Sequence, residues 1–280
     1  MRLRTVDAFA AGPYTGNPAA VVLLDAGTFP EDSRLQALAG ELNLSETAYA
    51  HPLPDDLEAD WALRWFTPTT EVDMCGHATL ATAHVLGEDG LLGEGERVRF
   101  RTRSGVLGAS REPDGTLTLD FPTAELTPVP VLAGVGQAFG TDAVAAWDTG
   151  TLGMLVLELA DERTLRELAP APADVAALPA PVVVVTAAAA APSGSASGEP
   201  EHDFASRVFA PSQGIPEDPV TGSAHTALAP LWSGRLGRDT LTGLQASRRT
   251  GYVRTTLRGD RTLLGGQAIT VLDAELRTRL

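Results

Sequence analysis

Two stretches of this chain resemble each other at a separation of about half its 280 residues. The first reads FTPTTEVDMCGHATLATA over residues 66–83, and the second reads FAPSQGIPEDPVTGSAHTALA over residues 209–229. Both begin with Phe-x-Pro, cross a turn-rich stretch with acidic residues, and reach a Gly that opens an Ala- and Thr-rich run. A weaker similarity relates residues 15–42 to residues 149–168 in the same order. Together the repeats predict two similar units of roughly 140 residues each.

The sequence around the repeats is typical of mixed α and β structure. Short segments rich in aromatic or β-branched residues predict strands at 61–66, 98–103, 117–121, 182–186 and 251–257. Residues 32–42 place apolar side chains on one face, which predicts an amphipathic helix. Residues 77–86 and 223–232 are small or apolar almost all round, and a helix without a polar face is buried. We therefore expect an α+β fold with one buried helix, wrapped by strands, in each unit.

Prolines and low-complexity sequence mark the boundaries. Proline interrupts the strand pattern near residues 123–131, which favours a unit boundary there. We expect a first unit over residues 1–125, to which a C-terminal strand at 267–280 can return, and a second unit over 126–266. A Gly-, Ser- and Pro-rich segment at 186–203 predicts a surface loop in the second unit.

The composition argues against several classes of protein and of binding site. Twenty-one basic and 36 acidic residues give a net charge of −15, which argues against a general binder of nucleic acid or anionic membranes. The single cysteine, Cys75, excludes an intrachain disulfide and any multi-cysteine metal or iron–sulfur site. The opening MRLRTVDAFA lacks the apolar core of a signal peptide, and no uncharged apolar run reaches about 18 residues. We expect a soluble cytoplasmic protein, with a homodimer left open.

The starts of the two buried helices are candidate binding sites. Gly76-His77 and Gly222-Ser223 each follow a turn, where free backbone N–H groups and the positive end of the helix dipole meet. Glycine lets a ligand approach the backbone, and such termini bind anions. If the units face each other, both starts converge on one cleft and hold a small carboxylate. The alternative is two ordinary capped helices.

Four side chains near these helix starts could carry chemistry. His77 lies in a first helical turn, where the dipole disfavours imidazolium, so we expect a neutral ring; the alternative is a structural histidine. Asp218 is an oriented acid/base or a turn residue. Glu46 is a solvated strand residue or, if it points inward, a proton-transfer group. Cys75 is a small buried hydrophobe or a thiol activated by the helix start.

Four segments taken together resemble one known family. They are VDAFAAGPYTGNPAAVVLL (6–24), NLSETAY (43–49), the CGHAT-containing stretch at 66–83, and RVFAPSQGIPEDPVTGSAHTALAPLW (207–232). The combination of SETA, CGHAT and EDPVTGSA, in this order and spacing, is similar to that of the PhzF family of phenazine-biosynthesis-like proteins. The resemblance runs from the first strand to about Val253.

The resemblance implies a diaminopimelate-epimerase-like fold. In that fold two similar halves each form a curved, mostly antiparallel sheet or barrel around a central helix, with the active site between them. The family's acid/base glutamate falls on Glu46, and its histidine and aspartate fall on His77 and Asp218. Its substrate-contacting positions fall on Ser45, Gly76, Gly222 and Ser223. No metal or organic cofactor is implied.

The implied reaction is an isomerisation. The family's phenazine enzyme isomerises trans-2,3-dihydro-3-hydroxyanthranilate, and a single carboxylate can move a proton between carbons of such a small acid. Related epimerases use two cysteines, matched here by Cys75 and Asp218, so the cysteine count excludes a two-thiol racemase. An epimerase or racemase of a small amino or hydroxy acid that uses Cys75 and Asp218 stays open. A non-catalytic protein that binds small carboxylates also stays open, since fold alone does not fix function.

Overall fold

A computed structural model describes residues 1–25, 27–190, 200–278 and 280. The chain divides into two compact units. The first unit comprises Met1–Phe121 and Leu263–Leu280, and the second comprises Pro122–Thr262. The C-terminal segment therefore belongs to the first unit, where its strand pairs antiparallel with the strand at the N-terminus.

Among the described residues, the first unit combines helices with a larger number of strands. Its elements are β1 (Arg2–Ala8), β2 (Asn17–Leu23), α1 (Asp32–Leu42), β3 (Glu46–Pro52), β4 (Trp61–Phe66), β5 (Glu71–Val72), α2 (Gly76–Glu88), β6 (Arg97–Thr102), β7 (Gly105–Arg111) and β8 (Leu117–Pro122). The helix α2 packs against β1, β2, β3 and β7. Nearly all of its side chains are buried, as its Ala- and Thr-rich sequence without a charged face predicts.

The second unit repeats this plan with additional short helices. Its elements are β9 (Thr127–Val129), α3 (Val135–Phe139), β10 (Ala145–Asp148), β11 (Met154–Glu158), α4 (Glu162–Glu167), α5 (Pro172–Ala176), β12 (Val182–Ala188), β13 (Phe204–Ala210), β14 (Ile215–Asp218), α6 (Gly222–Leu236), β15 (Thr240–Gln245) and β16 (Gly251–Arg258). The chain then passes through β17 (Arg261–Gly266) to β18 (Ala268–Glu275) in the first unit. The helix α6 runs through Pro230 without a break.

The strands of the two units pair in the same order. In the first unit β1 is antiparallel to β2, β2 is parallel to β3, and β3 is antiparallel to β4. β4 then pairs antiparallel with β5 and parallel with β6, which is antiparallel to β7. The series β10 to β16 repeats these pairings in the same directions. Each central helix connects the strands β5 and β6, or β14 and β15, as a duplicated unit requires.

Each unit has its own apolar core. In the first unit α1 covers the sheet with Leu35 and Ala39, which pack against Tyr49 and Phe66. In the second unit α3, α4 and α5 cover one face of the sheet, and α6 covers another set of strand residues that includes Val184. Burial of this apolar surface is the main force that holds each central helix in place.

The structure confirms the predicted strands and helices. The five predicted strand segments coincide with β4, β6, β8, β12 and β16, and α1, α2 and α6 form where helices were expected. β12 continues to Ala188, so the strand enters the segment predicted as a loop. Residues 191–199 of that segment lie outside the described residues. Among the described residues, no helix combines the length and apolarity needed to cross a membrane.

Gly16 has a backbone conformation that side chains rarely adopt, and it immediately precedes β2. Its φ is +74°, and a Cβ atom there would lie 2.3 Å from the carbonyl oxygen of Ala8. We expect Gly16→Ala to lower the free energy of unfolding by about 2–5 kcal/mol, because left-handed strain adds to a backbone clash. Gly90 has φ +71° with open space around it, so Gly90→Ala should cost only about 1–2 kcal/mol. Unfolding in urea measures the loss of stability in both variants. Equal losses in Gly16→Ala and Gly90→Ala would contradict a backbone clash at Gly16.

Candidate active site

The structure brings Glu46 and His77 together inside the first unit. Glu46 is the first residue of β3, and His77 is the second residue of α2. Both are buried, with 9% of Glu46 and 5% of His77 exposed. Glu46 Oε2 lies 2.9 Å from His77 Nε2. The pair lacks hydrogen-bond geometry, so Oε2 has no hydrogen-bond partner among the described residues. This oxygen is therefore a buried acceptor that a substrate proton can use.

The other side of the His77 ring contacts two further side chains. The carboxamide nitrogen of Asn17, the first residue of β2, lies 3.2 Å from His77 Nδ1. The Sγ atom of Cys75 lies 3.6 Å from Nδ1 and 4.0 Å from Nε2. Asn17 is fully buried, so its amide group fixes the ring orientation within a packed environment. One face of the site is therefore built from β2, β3 and the start of α2.

The charge state of His77 differs from the sequence expectation. Burial lowers the pKa of His77, whereas Cys75 and Glu46 raise it, and the net pKa lies well above 6.5. Burial and the neighbouring Glu46 raise the pKa of the Cys75 thiol to about 11, so the thiol is neutral near pH 7. The Glu46 carboxylate is then the anion that favours imidazolium. The prediction of a neutral His77 is wrong, because Cys75 and Glu46 outweigh both burial and the helix dipole, which favour the neutral ring. Of the two interpretations of Cys75, the raised pKa favours the small buried hydrophobe.

The raised pKa of His77 gives a pH dependence with a defined sign. The contribution of the Glu46–His77 pair to the free energy of unfolding is complete below pH 6.5. It is lost as the pH rises through the higher pKa that His77 has in the folded state. In an NMR titration we expect the His77 ring to titrate above 6.5 in the native protein and at lower pH in Glu46→Gln. His225 is an internal control, because burial lowers its pKa to about 4. A native His77 that titrates below 6.5 would contradict the ion pair.

Asp218 lies in a second cluster, inside the second unit. It ends β14, and its Oδ2 accepts a hydrogen bond from the hydroxyl of Thr221. Gln245, which is fully buried at the end of β15, accepts from the Thr221 backbone N–H at 2.8 Å. The Gln245 amide also donates to the Asp218 carbonyl at 2.8 Å. These bonds fix the turn between β14 and α6, so that Asp218 is an oriented carboxylate beside a helix start.

The two central helices begin in the same way. Gly76 and Gly222 are their first residues, both buried, and neither helix has a side-chain cap at its N-terminus. N–H groups at such helix starts can contact an anion within their own unit. The residues at the N-cap are Cys75 and Thr221. By helix position Thr221 is the counterpart of Cys75, and Asp218 lies three residues before it.

The remaining predicted binding residues flank these clusters. Ser45 is half-buried directly before β3, and Ser223 is half-buried as the second residue of α6. Two surface concavities, of about 770 Å³ and 550 Å³, are lined by other parts of the first unit and contain none of the candidate residues. The buried polar contacts therefore locate the site, whereas cavity size does not.

Some of the site's polar groups could not be found from the sequence alone. Asn17 lies in the quoted TGNPAA segment, where an Asn between Gly and Pro was an available signal. Gln245 and Thr221 had no such signal, because their roles depend on strand pairing within the second unit.

Glu46, Cys75 and His77 each offer one donor atom, and these three atoms lie within 4.8 Å of one another. This donor set is able to coordinate a metal ion.

Comparison with known proteins places the chain among related sequences. Residues 6–274 match the PhzC-PhzF family model, described as "Phenazine biosynthesis-like protein". An uncharacterized isomerase of Pseudomonas aeruginosa is 43% identical over 271 residues, which cover 97% of this chain and 96% of that protein.

Solved structures show the same relationship. A PhzF-family phenazine biosynthesis protein of Enterococcus faecalis superposes with a TM-score of 0.86 at 36% identity, covering 98% of this chain and 99% of that one. A hydroxyproline epimerase of Agrobacterium vitis superposes with a TM-score of 0.60 at 16% identity, covering 98% of this chain and 91% of that one. The second likeness concerns the fold alone. Together they confirm the predicted fold class, shared by PhzF proteins and epimerases.

Proposed function

Because the chain belongs to the phenazine biosynthesis-like (PhzF) family, we propose that it is an isomerase that moves a proton between carbons of a small carboxylic acid. The resemblance seen in SETA, CGHAT and EDPVTGSA is thereby confirmed at the level of the family. The observation that carries the proposal is the buried Glu46 carboxylate, whose Oε2 contacts His77 at 2.9 Å without hydrogen-bond geometry.

Glu46 is proposed to act as the single proton carrier. Its carboxylate removes a proton from one carbon, the C–H electron pair enters the conjugated system, and the protonated Glu46 returns the proton to another carbon. Water exclusion around a residue that is 9% exposed limits exchange of this proton with solvent. The reaction consumes no oxidant or reductant, since the product is an isomer of the substrate.

His77 is proposed to balance charge during this transfer. A protonated ring beside Glu46 stabilises the carboxylate before the transfer and can donate a hydrogen bond to charge that develops on the substrate afterwards. Asn17 and the packed start of α2 keep the ring in place. The family resemblance assigns Asp218 to the same substrate, together with Ser45, Gly76, Gly222 and Ser223 as binding positions.

The substrate class proposed is a small carboxylate with an acidic C–H bond, similar to trans-2,3-dihydro-3-hydroxyanthranilate. Exposed N–H groups at a helix start suit a carboxylate group. A proton bound to a carbon next to a double bond or carbonyl suits a carboxylate base, because the resulting negative charge is delocalised.

A second candidate function is an epimerase or racemase, and the position of Cys75 favours it. The Cys75 thiol lies 3.6 Å from His77 Nδ1, so it contacts the same imidazole ring as Glu46. A two-base epimerase would use Cys75 with Asp218. Cys75→Ala separates the candidates, because it should abolish epimerisation yet lower isomerisation much less than a change at Glu46.

The test begins with a screen of small carboxylates for thermal stabilisation of the native protein. Bound acids are then incubated with the protein in D₂O and analysed by NMR and mass spectrometry. An isomerase forms a product of equal mass apart from exchanged deuterium, and an epimerase places deuterium at an inverted stereocentre. A protein that binds an acid but forms no isomer and incorporates no deuterium is a binding module, and the proposal would fail.

A further inference from the structure

The Cys75 thiol takes no part in the proposed proton transfer, yet it lies among the groups that do. The donor atoms of Glu46, Cys75 and His77 all lie within 4.8 Å of one another, and all three residues are buried. We propose that these three residues bind Zn²⁺, with the ion acting as an inhibitor that occupies the acid–base pair. Zinc binding rests on this geometry alone, and only its inhibitory effect rests on the proposed function.

The distances between the donor atoms suit a four-coordinate ion. Bond lengths of about 2.0–2.3 Å in a tetrahedral zinc site place neighbouring ligand atoms about 3.3–3.8 Å apart. Here Cys75 Sγ lies 4.0 Å from His77 Nε2, and His77 Nε2 lies 2.9 Å from Glu46 Oε2. The observed separations fall on either side of the tetrahedral range, and Sγ lies nearer Nδ1, at 3.6 Å, than Nε2. Binding of Zn²⁺ to Nε2 and Glu46 therefore requires the Cys75 side chain to rotate toward Nε2. Three protein ligands leave a fourth position for water or a carboxylate.

The charges of the ligands also suit a buried divalent cation. A thiolate and a carboxylate neutralise the two positive charges of Zn²⁺, and a neutral imidazole completes the set. An uncompensated charge in so buried a place would be costly, whereas this combination has no net charge. On binding, the ion displaces one proton from the Cys75 thiol and one from the His77 ring, so metal and protons compete for the same atoms.

Two further features of the site point to a ligand. Glu46 Oε2 is a buried carboxylate oxygen without a hydrogen-bond partner among the described residues, and it faces the His77 nitrogen. The Asn17 carboxamide lies 3.2 Å from the opposite ring nitrogen. A histidine that ligates a metal through Nε2 donates its Nδ1–H to a neighbouring acceptor, and Asn17 can accept this hydrogen bond when its amide turns to present Oδ1 in place of Nδ2.

Occupancy of this site would stop proton transfer. Zn²⁺ bound to Glu46 Oε2 and His77 Nε2 removes the base and the charge-balancing proton at once. The same thiol that is dispensable for isomerisation would then determine whether the enzyme responds to zinc.

The test uses the native full-length protein, reduced with a phosphine and freed of metal. One equivalent of Zn²⁺ is added, and X-ray absorption at the zinc edge is recorded. We expect one sulfur ligand at about 2.3 Å. Because Cys75 is the only cysteine in the chain, a thiolate–zinc bond identifies the site without any variant. A spectrum with only nitrogen and oxygen ligands would overturn the proposal.

Co²⁺ binding provides a second readout that variants can probe. The native protein should show a thiolate-to-cobalt band that one equivalent of Zn²⁺ removes. Cys75→Ala should lose this band and bind Co²⁺ at least about 10–100-fold more weakly. His84→Gln is the control, because it removes the His84–Glu88 pair, 3.3 Å apart and farther along α2 from the proposed ligands. Unchanged affinity in Cys75→Ala, or loss of binding in His84→Gln, would overturn the site.

These readouts do not depend on turnover. If zinc–sulfur coordination is found without isomerisation, the metal site is confirmed and the proposed function fails. If isomerisation is found and no zinc–sulfur coordination is seen, only the metal site fails.

Discussion

Glu46→Gln is expected to lower the rate of isomerisation by about 10²–10⁴-fold, with little change in affinity for a carboxylate ligand. Glutamine has nearly the same shape as glutamate but cannot accept the proton from carbon. The Glu46 side chain lies in a packed site beside His77, so the amide should occupy the same space. Single-turnover kinetics measures the chemical step, and calorimetry with an unreactive carboxylate measures affinity.

Glu88→Gln is the matched control for this change. Glu88 is the last residue of α2, and it contacts His84 and Thr270 outside the Glu46 cluster. We expect Glu88→Gln to isomerise substrate within a few-fold of the native rate, because Glu88 touches neither Glu46 nor the His77 ring. If Glu46→Gln keeps the native rate, Glu46 is not the proton carrier. If both variants lose the same activity, the loss reflects general damage to the first unit.

Phe204→Ala should lower the free energy of unfolding of the second unit by about 3–5 kcal/mol, as is usual when a buried aromatic side chain is removed. Phe204 is fully buried at the start of β13, and its ring stacks on Trp232 of α6 with centroids 5.8 Å apart. It also fills the space beside Gly243, where a Cβ atom would lie 2.5 Å from the ring. Removing the ring leaves a cavity between strand and helix that these neighbours cannot close.

Equilibrium unfolding in urea, followed by circular dichroism, measures this loss. Phe204→Leu retains most of the apolar volume and should cost less than half as much. Tyr14, an aromatic residue that is 72% exposed, serves as a surface control, and Tyr14→Ala should change stability by less than about 0.5 kcal/mol. A loss below about 1 kcal/mol in Phe204→Ala would mean that the contact between β13 and α6 contributes little to the second unit.

Local sequence patterns were sufficient to predict much of the fold. The repeat of the Phe-x-Pro segments predicted a duplicated unit, and the helices without a polar face predicted a buried helix in each, because both features follow from the order and polarity of neighbouring residues. The residue types at Glu46, His77 and Asp218 suggested acid–base chemistry. The expectation that residues of both units act in one cleft remains a prediction.

Local sequence patterns could not predict the charge states and the orientations of the side chains in the site. From the sequence, His77 was expected to be neutral, since only the helix dipole is a local property. The opposite outcome comes from Cys75 and from Glu46, which is distant along the chain but only 2.9 Å away in the folded unit. The orientation of Asp218 likewise depends on Gln245, which strand pairing brings to the start of α6.

The order and polarity of neighbouring residues were enough to predict the repeat, the positions of the strands and helices, and which ionisable side chains stand near the two helix starts. Contacts that form on folding set which of these groups touch, which are buried, and which charge each one carries. The physical reason is that secondary structure follows from short-range periodicity and backbone preference. A pKa or a coordination geometry instead depends on distances of a few ångströms between residues that the folded sheet brings together.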